Sequence, residues 1–159
     1  MNEGIPFTKQ GYNELKDELE RLKKEDRPKV IADIAEARAH GDLKENAEYH
    51  AAREKQSFIE GRITILDDAL ARAKIIDFSG APTEKVQFGA WVSVEDVDSG
   101  EERRYRVVGD LEADIQKNLI SVKSPIAKAL LGKEEGDEVN IRVPKGEVTY
   151  VISQVAYEG

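Results

Sequence analysis

His40-Gly41-Asp42 is the one strong interruption in a run of helical spacing that extends from Tyr12 to Ala73. Upstream, Tyr12, Leu15, Leu19 and Leu22 recur at three- and four-residue steps, followed by Val30, Ile31, Ile34 and Ala37. Downstream, Ala47, Ala51 and Phe58 lead into Ile59, Ile63, Leu66, Leu70 and Ala73. Apolar residues at this interval fall on one stripe of a helix, with Lys, Glu and Asp on the other faces. Two long helices separated by so short a gap must pack antiparallel, because a few residues can only turn the chain back beside itself. The stretch therefore predicts a coiled-coil hairpin with about 28 residues per arm, each arm on the order of 40 Å at roughly 1.5 Å per residue. Pro28 lacks the donor for one helical hydrogen bond and crowds the preceding turn, so a kink is expected near Glu25 to Pro28.

Beyond Asp77 the pattern changes. Ser79-Gly80-Ala81-Pro82-Thr83 has the composition of a linker, and after it the apolar period drops towards two. Val92 and Val94 alternate into the turn Asp98-Ser99-Gly100, and Tyr105 and Val107 alternate out of it. Val139, Ile141 and Val143 approach Pro144-Lys145-Gly146, and Val148, Tyr150 and Ile152 leave it, which gives a second hairpin. Between the two, Leu119 to Val122 suits a short strand. A short helix should follow through Leu131, with Ser124 as N-cap, Pro125 at the first helical position and Gly132 ending it. The fold class is α+β: a helical hairpin over residues 1–78, a linker over 79–84, and over 85–159 a domain of four or five antiparallel strands with one short helix. Phe88, Trp91, Tyr105, Tyr150 and Tyr157 could line a pocket there or simply form its core.

Composition narrows the chemistry. The chain has no cysteine, which removes disulfides, thiolate nucleophiles and Cys-based zinc sites. The formal net charge is -8, and both halves contribute, with 14 Lys/Arg against 17 Asp/Glu over residues 1–78 and 10 against 15 beyond. A field of that sign disfavours non-specific binding to a phosphate backbone, so nucleic acid could be reached only through a local basic patch or a larger partner. Residues Met1 to Phe7 do not have the form of a signal peptide, and no apolar run reaches membrane-spanning length, so a cytoplasmic protein without a membrane partner is expected. No nucleophile-base triad, phosphate-binding glycine loop or zinc spacing is present.

The densest polar cluster is Gly41-Asp42-Leu43-Lys44-Glu45-Asn46 at the hairpin turn. One reading is purely local: Gly41 as C-cap, Asp42 as N-cap of the next helix, and Glu45 three residues later completing a capping box. The other requires no different geometry. Two carboxylates within a turn of helix could hold a hard cation such as Mg²⁺ through oxygen, but two alone make a weak site, so another molecule would have to supply the remaining ligands. Arg38, Lys44 and Arg53 form a small basic group nearby. They are either a solvated face paired with Glu36, Glu48 and Glu54 or a grip on an RNA backbone. The two histidines, His40 and His50, flank the turn and are read as exposed helix residues without assigned chemistry.

The string from Ala37 to Ala52, Ala-Arg-Ala-His-Gly-Asp-Leu-Lys-Glu-Asn-Ala-Glu-Tyr-His-Ala-Ala, closely resembles the hairpin-tip signature of the Gre transcript-cleavage factors. Asn118 to Val122, Ser124 to Ala127, Leu131 to Glu135 and Gly146-Glu147-Val148 resemble that family's C-terminal domain, in the right order. The resemblance implies an N-terminal coiled coil and an FKBP-like C-terminal domain that docks on the rim of the secondary channel of bacterial RNA polymerase. It implies that Asp42 and Glu45 are the tip acids that help the polymerase hold a second Mg²⁺ and position a water. The chain would then be an accessory factor, monomeric when free, and not an enzyme by itself. Arg38, Lys44 and Arg53 would lie near the nascent RNA 3′ end, and Ser124, Pro125 and Ile126 would form the polymerase-docking loop. Lys123 stands where the family pattern leads one to expect a small polar or acidic residue. A peptidyl-prolyl isomerase is the rival that an FKBP-like domain suggests; against it, Trp91 falls in a strand pattern, not on a helix.

Overall fold

The break at His40-Gly41 separates two helical arms in the computed structural model, which describes residues 4–42, 46–77 and 84–157. The chain divides into two compact units, one formed by Tyr12–Ala73 and the other by Met1–Gly11 with Lys74–Gly159.

In the first unit the ascending arm comprises α1 (Lys9–Arg21, entering the unit at Tyr12), a π-helical turn at Leu22–Asp26, and α2 (Arg27–Arg38). The descending arm is the single helix α3 (Ala47–Ala71). The irregularity expected at Pro28 takes the form of that π turn. Pro28 cannot donate to the carbonyl four residues back, and the backbone widens just before it, so that the Arg27 N–H bonds to the carbonyl of Leu22. Leu15, Leu22, Val30, Ile34 and Ala37 are buried from one arm, and Ile59, Ile63, Leu66 and Ala69 from the other. Ile31 and Phe58, which the apolar pattern also assigns to this seam, are 51% and 73% exposed. Each is adjacent in sequence to a buried residue, Val30 or Ile59, and neighbours on a helix point about 100° apart, so both cannot face one partner. Across the flanks of the hairpin, Arg62 reaches Glu18 at 2.7 and 3.1 Å, and Arg27 reaches Glu60 with two contacts of 2.8 Å. Lys23 meets Asp67 at 3.0 Å.

The second unit contains a curled five-stranded sheet built from β3 (Trp91–Asp96), β4 (Glu102–Val108), β5 (Leu119–Ser121), β6 (Glu138–Val143) and β7 (Gly146–Ala156). The order is β5-β4-β3-β7-β6. Both hairpins read from the sequence are present, β3 with β4 and β6 with β7, and β3 and β7 join them antiparallel. The strand at Leu119 differs from the expected all-antiparallel sheet, since it runs parallel to β4 with Val107 opposite Ile120. The connection from β4 is not a tight turn; it passes through residues 109–118, including a 3₁₀ turn at Ile115–Lys117, and returns in the same direction. The sheet is therefore mixed. Alternate residues Val92, Val94, Val107, Ile120, Val139, Ile141 and Ile152 face inward onto Ala127 and Leu130 of the short helix α4 (Pro125–Leu130).

Two three-residue strands, β1 (Ile5–Phe7) and β2 (Ala73–Ile75), form a separate small sheet. Ile76 N–H continues it by donating to the Phe7 carbonyl at 2.9 Å. The N-terminal segment is also tied to residues 109–112. Glu112 accepts from Thr8 N–H at 3.0 Å and from the Thr8 hydroxyl, and Gly109 comes so close that a Cβ there would stand 2.4 Å from the Pro6 carbonyl oxygen. By compactness, residues up to Gly11 and from Lys74 onward group with the sheet, so this division does not coincide with the one drawn at residue 78. Of the linker read over 79–84, residues 79–83 lie outside the described residues. Among the described residues no helix is long and apolar enough to cross a membrane.

Candidate functional site

The end of α2 and the start of α3 define the tip of the hairpin. The last turn of α2 tightens, with Ala39 N–H donating to Glu36 and His40 N–H to Ala37, both at 3.1 Å, and the chain then reverses through Gly41. Gly41 has φ +133°, and a Cβ placed there would meet nothing within 4 Å, so the position needs glycine for its backbone and not for space.

The N-cap expected at Asp42 is found elsewhere, while the capping box itself involves Glu45, which lies outside the described residues. The N-cap of α3 is Asn46, whose Oδ1 accepts from Tyr49 N–H at 3.0 Å, and whose Nδ2 donates to the Ala37 carbonyl at 2.6 Å. Asp and Asn cap helices about equally well, but only Asn also carries a donor. One side chain thereby satisfies an orphan N–H of the descending arm and a carbonyl at the end of the ascending one. Asp42 is not the N-cap of α3 and lies exposed on the turn, outside either helix. Glu45 and Lys44 lie outside the described residues.

Asp42 shares an open hollow with Glu36, His40, Asn46, Ala47 and Glu48. The lining is acidic, and Glu48 in the first turn of α3 sits favourably at the positive end of that helix's dipole. No cluster of three or more His, Asp or Glu groups that could hold a metal ion exists among the described residues. Mg²⁺ takes near-octahedral oxygen coordination, and among the described tip residues Asp42, Glu36 and Glu48 are the carboxylates that could lend oxygens to such an ion.

Arg38 is the last residue of α2, and its guanidinium lies 5.7 Å above the Tyr49 ring. Tyr49 meets His50 edge to face at 5.5 Å between ring centres. Among the described residues neither Arg38 nor Arg53 makes an ion pair, so the pairing expected with Glu36, Glu48 and Glu54 does not form. Both cations are exposed. Arg53 lies on α3 almost two helical turns beyond the cap. The sequence reading missed Asn46 and Tyr49; the only signal was a strong capping residue just before an unbroken helical run.

Ser124, Pro125 and Ile126 lie in the sheet unit. Ser124 Oγ accepts from Ala127 N–H at 3.2 Å and Pro125 opens α4, as the sequence indicates. All three border an apolar cleft of about 750 Å³ whose other walls include Tyr105, Ile115, Leu119, Ile141 and Val143. Ile115 is 86% exposed at this cleft, a feature that no periodicity announces because it sits in a 3₁₀ turn. Trp91 does open strand β3, with the Arg104 guanidinium 4.5 Å above its ring.

Residues 5–75 match a family described as "Transcription elongation factor, N-terminal", and residues 81–157 one described as "Transcription elongation factor, GreA/GreB, C-term". The transcription elongation factor GreA of Halorhodospira halophila is 59% identical over 157 residues, covering 97% of this chain and 98% of that protein. GreA of Hyphomonas neptunium is 56% identical over 156 residues, covering 98% and 99%. GreA of Thermodesulfovibrio yellowstonii is 54% identical over 158 residues, covering 99% and 100%. Among solved structures, the transcription factor Gfh1 is 32% identical and covers 98% of this chain and 99% of its own, with a TM-score of 0.46. Two matched halves and relatives of this identity along nearly the whole chain make it a member of the GreA/GreB family of transcription elongation factors, most like GreA.

Proposed function

We propose that the chain binds bacterial RNA polymerase and stimulates endonucleolytic cleavage of backtracked nascent RNA, restoring a usable 3′ end. The observation that carries this reading is the Asp42 carboxylate, exposed on the turn of a long hairpin and not used to cap the helix that follows.

The hairpin enters the secondary channel of the polymerase, while the loop Ser124, Pro125 and Ile126 docks on the channel rim. At the tip, Asp42 and Glu45 lend oxygens to Mg²⁺ held jointly with the polymerase's own acidic residues. When bound, that ion favours water ionisation and offsets charge building on the scissile phosphate. Arg38, Lys44 and Arg53 lie along the RNA 3′ segment, with the Tyr49 ring keeping Arg38 at the end of its helix. The chain acts as an accessory factor and hydrolysis is left to the polymerase. The free chain acts as a monomer.

The test is RNA release from a stalled, backtracked elongation complex. Replacing both tip acids, Asp42→Ala with Glu45→Ala, is expected to abolish stimulated cleavage while polymerase affinity stays within about twofold, as for loss of a contact made only during reaction. Undiminished cleavage by the double variant would rule the role out.

A further inference from the structure

Just past the end of β4, Asp110 receives two groups from the turn that leads into α4. Its Oδ1 accepts from the Ser121 hydroxyl, and its Oδ2 lies 3.0 Å from Lys123 Nζ. The same Ser121 Oγ accepts from Lys123 N–H at 3.1 Å, and the Ser121 carbonyl accepts from Ser124 N–H at 2.9 Å. Val122 N–H donates to the Val108 carbonyl at 2.8 Å. Every backbone N–H from Val122 to Ser124 is therefore occupied before Pro125, which has none. Ser121 can accept from Lys123 while donating outward only if the group at 110 is an acceptor, and an ionised carboxylate is that group in both of its oxygens.

These contacts contribute little to global stability, because the Lys123 and Asp110 side chains are 76% and 50% exposed. Their effect is local: they fix the path of the chain where it turns into the segment Ser124, Pro125 and Ile126. They also offset the charge of Lys123 within its own chain. The Ser121 hydroxyl first, and then Lys123, hold the Asp110 carboxyl below its ordinary range, which keeps it an acceptor at neutral pH.

We propose that Asp110 is a positioning residue for polymerase docking: acting through Ser121 and Lys123, it holds the turn at 122–124 so that Ser124, Pro125 and Ile126 are presented to the polymerase in a single geometry. This rests on the docking role given above to that loop. Without Asp110 the loop must be ordered at the moment of binding, and affinity falls by the cost of that ordering.

The experiment measures binding of the full chain to core RNA polymerase for the native protein, Asp110→Ala, Asp110→Asn and Pro125→Glu, with amide hydrogen exchange of each free chain alongside. Asp110→Ala is expected to weaken binding roughly three- to tenfold, a loop-ordering cost, and to speed exchange at Lys123 and Ser124 with the melting temperature almost unchanged. Asp110→Asn retains the acceptor for Ser121 and should recover most of both losses. Pro125→Glu places a charge on the exposed docking position and should weaken binding whatever happens at residue 110. If Pro125→Glu weakens binding and Asp110→Ala does not, the positioning role is wrong and the docking loop stands. If neither variant weakens binding, the docking loop itself is wrong and the inference goes with it.

Discussion

Asn46 makes two contacts at the tip, one to each arm of the hairpin. Asn46 joins the arms, accepting from Tyr49 N–H and donating to the Ala37 carbonyl, and it caps α3 where the sequence pointed to Asp42. An N-cap removed at a helix start costs typically about 1 kcal/mol, and leaving the partner carbonyl with one bond fewer adds to that. Asn46→Ala is therefore expected to destabilise the protein by about 1 to 2 kcal/mol in urea unfolding. Asn46→Asp should restore only part of the loss, since it keeps the acceptor but has no amide to donate. Equal stability of Asn46→Asp and the native chain would show that the bond to Ala37 contributes nothing.

At the scale of elements, the hairpin is held by an apolar seam and flanked by ion pairs of unequal worth. Arg62 and Glu18 are each under one third exposed and meet through two bonds, whereas the Arg27 and Glu60 side chains are 36% and 45% exposed. The hydrogen bond from Arg62, followed by its charge, outweighs partial burial and holds the Glu18 carboxyl below the usual range. A depressed carboxylate pKa in the folded state means that the unfolded chain binds more protons in acid. The stabilisation is thus complete above the unfolded value, about 4.3, and disappears as pH falls through the lower folded value. Glu18→Gln should cost about 0.5 to 1.5 kcal/mol at pH 7 and almost nothing near pH 2, measured as unfolding free energy across that range. The elements themselves were legible where their periods were long. Leu15 to Ala37 and Ile59 to Leu66 outline both arms, and Val139 to Ile152 the last hairpin, because many residues repeat one geometric demand. β1 and β2 were not, since three residues carry no period; β5 was legible as a strand from Leu119 but not as a parallel one, because its direction is decided by how the connection at 109–118 travels. The tip acids were legible as residue types, but Asn46 outcompeted Asp42 for the cap through a contact with the other arm, which no local pattern contains.

For the molecule as a whole, charge and length act together. A chain with net charge -8 gains little from a phosphate backbone, so under the proposed function its affinity for a transcribing complex comes from protein surface. The hairpin's long descending helix, 25 residues, spans roughly 37 Å at 1.5 Å per residue, enough to present a turn well away from its base. Arg38 and Arg53 near that turn are exposed cations without acidic partners among the described residues. The central claim is that the tip contributes oxygens to a shared cation, and the most direct measurement is the Mg²⁺ dependence of cleavage in a backtracked complex saturated with factor. With the isosteric changes Asp42→Asn and Glu45→Gln, which remove charge and leave shape, the Mg²⁺ concentration for half-maximal cleavage should rise about tenfold or more, the equivalent of about 1.4 kcal/mol of lost ion affinity. The same Mg²⁺ midpoint and the same maximal rate in native and substituted factor would contradict it.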